Sequence, residues 1–120
     1  MIGMKQNKIW GSTKCLFKNN NFEVHRIEIH PNCNCSKHKH QFKHNMFYVE
    51  SGTLMVKVWK NEYPLIDDTI LNDGDMTSVK PNEFHQFSTG NDSVIAYEIY
   101  FSEPISGDII RETCGGKCDL

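Results

Sequence analysis

Thr53-Leu54-Met55-Val56-Lys57-Val58-Trp59 alternates without a break. On an extended chain Leu54, Val56 and Val58 share one face, opposite Met55, Lys57 and Trp59, which is the pattern of a half-buried strand. Working outward, Ser51-Gly52 divides this strand from another at 46–50, and Asn72-Asp73-Gly74-Asp75 is a strong turn signal. Short strands are expected after that turn at 76–80, 84–88 and 94–101. Toward the N-terminus, residues 22–29 (Phe-Glu-Val-His-Arg-Ile-Glu-Ile) are β-branched and alternating, but their apolar phase shifts between Val24 and Ile27. That shift implies a bulge or burial on both faces. No stretch of helical length carries a 3.6-residue apolar stripe, and a single short helix is expected at 105–112. Short strands separated by turns mean a sandwich or barrel. The fold class is all-β, and 120 residues make one domain, 1–120, with its barrel core at about 22–101.

A net charge of -2 argues against a nucleic-acid binder with a basic footprint over the whole domain. Apolar runs fall far short of the roughly 20 residues that span a bilayer, so no membrane partner is expected. Residues 1–10 carry Lys5 and Lys8 without an apolar core, so no secretory signal is read and a cytoplasmic protein is expected. The cysteines Cys15, Cys33, Cys35, Cys114 and Cys118 are odd in number, unlike a secreted disulfide framework. Cys33, Cys35, Cys114 and Cys118 have the count for a zinc site but not its usual spacing, which favours free thiols. Trp59 and Tyr63 are candidates for outward aromatics, and a homodimer is expected from them.

The histidines carry the chemistry. In Ser36-Lys37-His38-Lys39-His40 the two imidazoles alternate with lysines, so on an extended segment both rings point to one side. Two imidazoles on one face are a compact start to a metal site, and His85, beyond the Gly74 turn, is the third.

The intervals resemble those of the cupins, whose first motif orders Gly, His-x-His, Glu and Gly and whose second orders Gly, Pro, His and Asn. Here the first reads Asn32, five residues, His38-Lys39-His40, four residues, Asn45, six residues, Gly52. The second reads Gly74, five residues, Lys80, four residues, His85, three residues, Thr89. The resemblance implies a small double-stranded β-helix, or jelly-roll, barrel. It also implies a divalent metal ion (Zn, Mn, Fe or Ni) held by His38, His40 and His85. Asn32 stands at a glycine position, where a left-handed backbone is expected, since Asn visits that region more readily than most residues. Asn45 stands where the family's glutamate ligand falls, which makes it a weak, neutral fourth ligand. His44 would take that place only if the strand slipped by one residue and turned every neighbour over.

Within the cupins, shorter fragments resemble the cupin part of type II mannose-6-phosphate isomerases. These are Ile9-Trp10-Gly11-Ser12, Val24-His25-Arg26-Ile27, residues 47–54, Tyr97-Glu98-Ile99 and residues 108–112. The large nucleotidyltransferase domain that usually precedes that cupin is absent from this sequence, and the family's Gln at the first ligand position is His38. The resemblance implies a sugar-phosphate isomerase-like enzyme acting on a small anionic or polyhydroxylated molecule. Isomerisation needs a metal and a base. Glu98 and His44 are the catalytic candidates, with Lys43, Lys80 and Arg111 as substrate-binding cations and Lys37 and Lys39 near the mouth. Two alternatives stand beside this reading: a three-histidine non-haem iron dioxygenase, and a small-molecule-binding cupin without chemistry.

Overall fold

The computed structural model describes residues 2–62, 64–102 and 108–117. Nine strands form: β1 (Lys5–Lys8), β2 (Gly11–Lys18), β3 (Phe22–Ile29), β4 (His44–Ser51), β5 (Leu54–Trp59), β6 (Ile66–Leu71), β7 (Met76–Val79), β8 (Phe84–Thr89) and β9 (Val94–Phe101). A six-stranded antiparallel sheet runs β1-β2-β3-β9-β4-β7, and a three-stranded sheet runs β6-β5-β8. Ile27, Ile29, Phe47, Val49, Val79, Val94 and Ala96 from the first sheet meet Leu54, Val56, Val58, Leu71 and Phe87 from the second. This is an all-β jelly-roll sandwich. Among the described residues no helix is long and apolar enough to cross a membrane.

The alternation read at Leu54, Val56 and Val58 is realised, with all three side chains buried. β1, β2 and β6 escape a reading by alternation. β1 is an edge strand with no buried residue, and β6 buries only Leu71. The phase shift within residues 22–29 is not a bulge in that strand. β3 pairs with β9 in unbroken register from Phe22↔Phe101 to Ile29↔Val94, and the irregularity lies in β2 between Cys15 and Phe17. Glu23, His25, Ile27 and Ile29 all keep the inward phase, so the interior itself changes from polar to apolar along β3. Residues 108–112 form no helix, while 105–107 and Tyr63 lie outside the described residues.

Two turn positions behave as their side chains dictate. Asn32 adopts φ 55° at the place where the motif has glycine. Gly52 adopts φ 100°, and a Cβ there would lie 2.7 Å from the Ser93 carbonyl oxygen, so no larger residue fits.

Candidate metal centre

Residues 33–40 run as an irregular, extended ribbon along the free edge of β8. Isolated bridges pair Asn34 with Ser88 and His38 with His85. The His38 and His85 amides exchange carbonyls at 3.1 and 2.8 Å, which puts both imidazoles on the same side of the ladder. Alternation then sorts the neighbours. The Lys37 ammonium sits 4.0 Å from the Trp59 ring centroid, and that of Lys39 sits 4.9 Å from Phe84, both aromatics of the small sheet's outer face. The expectation that Lys37 and Lys39 crowd the mouth is therefore corrected: the parity that turns the histidines inward turns these lysines outward.

His38, His40 and His85 each offer a nitrogen within 4.8 Å of the other two. Their tautomers are set from behind. His38 Nδ1–H donates to the Ser36 carbonyl at 2.8 Å and His85 Nδ1–H donates to the Glu83 carbonyl at 3.0 Å, which leaves the Nε2 of each ring as the lone-pair nitrogen facing the cluster. His40 Nε2 is buried without a hydrogen-bond partner. Burial, reinforced by the charges of His38 and His85, pushes the His40 imidazolium down to about 4, and burial lowers His85 as well. Three imidazoles around one point, one of them orphaned, fit a divalent cation of the Zn, Mn, Fe or Ni kind.

Asn45, on β4, is buried beside them. Its Nδ2 donates to His85 Nε2 at 3.1 Å while its Oδ1 has no partner. Half a turn of the amide would bring Oδ1 to the cluster as a fourth, neutral donor. His44, on the opposite face of β4, stacks on Phe101 at 5.1 Å.

Glu98 takes the inward phase of β9, in line with Val94 and Ala96, and is buried. The Tyr100 hydroxyl donates to Glu98 Oε2. Burial raises the Glu98 carboxyl above the usual range, a shift that the Tyr100 hydrogen bond offsets only in part. The Tyr100 ring meets His40 edge-on at 4.7 Å. A cavity of about 680 Å³ opens here, walled by Glu98, Tyr100, His38, His25, Gln86 and Trp10 among others.

Lys43 reaches Glu23 at 3.0 Å and lines a smaller recess of about 270 Å³ with His25, His40 and Tyr100. Lys80 is exposed after β7, Arg111 is exposed in the C-terminal segment, and neither lines either space. Cys35 accepts the Phe87 N–H at 3.2 Å, and burial pushes its thiol up to about 11, far from a thiolate ligand. Cys33 and Cys114 are free thiols, and Cys118 lies outside the described residues. His25, Tyr100, Gln86 and Trp10 did not emerge as site residues from the sequence. The signal for His25 was present in the broken apolar phase of residues 22–29, since a strand that stays in register yet turns polar is lining something.

The family profile described as "Cupin domain" matches residues 25–100. Among solved structures, KdgF from Halomonas sp. superimposes with a TM-score of 0.71 at 12% identity, covering 84% of this chain and 89% of its own. CapF, the capsular polysaccharide assembling protein from Staphylococcus aureus, gives 0.72 at 15% identity, with 86% of this chain covered. The formate complex of oxalate decarboxylase from Lactobacillus farciminis gives 0.75 at 12% identity, with 87% covered. The chain spans only 29% of CapF and 32% of the decarboxylase, and identities this low speak to the fold alone. A search of the curated proteins finds no match.

Proposed function

This chain belongs to the cupin domain family, and from that premise we propose that it is a metal-dependent enzyme of the sugar-isomerase type, moving a proton between adjacent carbons of a small polyhydroxylated molecule. One observation carries the reading: a buried carboxyl, Glu98, hydrogen-bonded by Tyr100, shares a cavity wall with His38 of the imidazole cluster. His38, His40 and His85 hold the cation, with Asn45 as a weak fourth donor. When bound, a divalent ion there supplies Lewis-acid polarisation of a carbonyl or hydroxyl oxygen. Glu98 takes the proton from one carbon and returns it to the next, and the raised affinity for protons that burial gives its carboxyl suits both halves of that exchange. Tyr100 orients the carboxyl. The type II mannose-6-phosphate isomerase fragments around Trp10 and Glu98 support the same class of chemistry.

A second reading rests on the donor set. Three imidazoles and an amide include no carboxylate, which suits a three-histidine iron oxygenase. Incubating the metal-loaded protein with aldoses and ketoses in deuterated water and following C–H exchange by NMR separates the two. Exchange that Glu98→Gln abolishes, with the metal retained, supports the isomerase. Oxygen uptake by the iron form without exchange supports the oxygenase.

A further inference from the structure

The cavity beside the histidines is poor in cations. Among the described residues that wall it, Lys8 is the lysine, and it stands exposed at the rim. Lys37 and Lys39 point to the other face of their ribbon, and Lys43 is spent on Glu23. His25 also faces that carboxylate, at 3.1 Å. A phosphate needs charge-assisted or bidentate partners, and a monoester brings nearly two charges. Apart from Lys8 and the cation proposed at the histidines, the described residues of this wall offer no charged partner that meets that demand.

The wall does offer neutral hydrogen-bonding groups and one large aromatic. Thr13, Asn34 and Ser36 line it, and Gln86 donates its Nε2 to the Cys35 carbonyl at 2.7 Å, which fixes the amide and leaves Oε1 as an acceptor. Trp10 stands opposite as a braced panel. Its ring lies 5.0 Å from Phe87 at 86°, and its carbonyl accepts the His30 N–H at 2.8 Å. The next residue, Gly11 at φ 152°, runs so close to β3 that a Cβ would fall 1.9 Å from the Glu28 carbonyl oxygen. The turn that presents Trp10 is therefore clamped at both sides. A rigid indole loses little entropy on binding, and its electron-rich face attracts the weakly positive C–H bonds of a pyranose.

We infer that this cavity binds an uncharged polyhydroxylated molecule of monosaccharide size, laid on Trp10 with its hydroxyls on Gln86, Asn34 and Ser36, and that phosphorylation of the ligand adds no affinity. The inference rests on the proposed sugar chemistry and names its substrate class.

Trp10 is also the reporter. The chain has two tryptophans, and Trp59→Phe, on the outer face under Lys37, leaves Trp10 as the only tryptophan, excited selectively at the red edge of the absorption band. This variant is titrated with D-mannose, D-fructose and their 6-phosphates, with and without Mn²⁺, at low and high salt. Trp10 emission is expected to shift saturably with the neutral sugars, with Kd within about threefold for the phosphates and flat against salt. In a wild-type background, Trp10→Ala should weaken sugar binding at least about tenfold by ligand-observed NMR while Mn²⁺ affinity holds, the measurements being made below the lowered Tm expected from the lost packing on Phe87. Trp10→Phe should restore part of it. Phosphates binding more than about tenfold tighter with a steep salt dependence would overturn the inference, as would a Trp10 signal that none of the sugars moves. Failure of the metal reading is separable. If Mn²⁺ does not bind but sugars still shift Trp10, the binding site stands and the isomerase falls. If Mn²⁺ binds at the histidines while Trp10 stays silent, only this inference falls.

Discussion

The two halves of the sandwich interior are built from the same strands and have opposite chemistry. β3 contributes Ile27 and Ile29 to one half and Glu23 and His25 to the other; β9 contributes Val94 and Ala96, then Glu98 and Tyr100. β4 contributes Phe47 and Val49 against Asn45, and β8 contributes Phe87 against His85. The apolar half is closed, with Val49, Leu54, Val56 and Ala96 at 0% exposure. The polar half leaves His40 Nε2 and Asn45 Oδ1 buried without hydrogen-bond partners, a desolvation cost that a bound cation would recover. The contrast teaches that pleat phase and chemistry are set independently. A strand keeps its inward register while its inward residues switch from holding the fold to holding a ligand.

The largest effect is expected on the apolar side. Phe87→Ala removes a ring packed against Trp10 and Phe47 and should cost about 3–5 kcal/mol of unfolding free energy in urea titrations. A cost below about 1 kcal/mol would mean that the apolar half does not carry the stability.

The polar half should set the pH response of the metal-free protein. His40, depressed to about 4, binds fewer protons folded than unfolded between there and 6.5. Its contribution is complete above 6.5 and is lost as pH falls toward 4, so stability should drop on acidification through that window. Glu98 acts with the opposite sign. Its carboxyl is raised by burial, so stability is lost as pH rises above 4.5 through the folded value. Glu98→Gln should therefore raise the Tm of the metal-free protein near neutral pH, and His40→Gln should flatten its acid limb. Identical pH profiles for all three proteins would break the comparison.

How much of this was legible from residues follows the same division. The apolar half announced itself through Leu54-Val56-Val58, and the turns through Asn32 and Gly52. The three histidines were legible as a set because their intervals resemble the cupin pattern, and the His38–His85 bridge between the 33–40 ribbon and β8 is what brings them together. The polar wall was not. His25 and Tyr100 sit on strands whose partners lie far away in sequence, and alternation cannot say whether a polar residue between isoleucines faces water or a cavity. Lys37 and Lys39 misled for a related reason: proximity in sequence to His38 and His40 meant the opposite face of the ribbon. Lys80 and Arg111 likewise reach neither cavity wall.

A smaller effect sharpens the account of the fourth position. Asn45→Asp, nearly isosteric, replaces an amide that donates to His85 by a carboxylate beside the cluster. Divalent metal affinity should rise by about tenfold or more in calorimetric titration, at some cost in metal-free stability. Unchanged affinity would show that Asn45 serves only to hold His85.

The central claim is that the polar half is a metal centre on three histidines. Its most direct measurement is a Mn²⁺ titration followed by electron paramagnetic resonance, run on the wild-type chain and on a variant carrying His38→Ala, His40→Ala and His85→Ala. One tight equivalent is expected per wild-type chain, with a rise in Tm as the site fills, and none in the variant. Stoichiometric binding that survives loss of all three imidazoles, or a wild-type chain that takes up none, would contradict it.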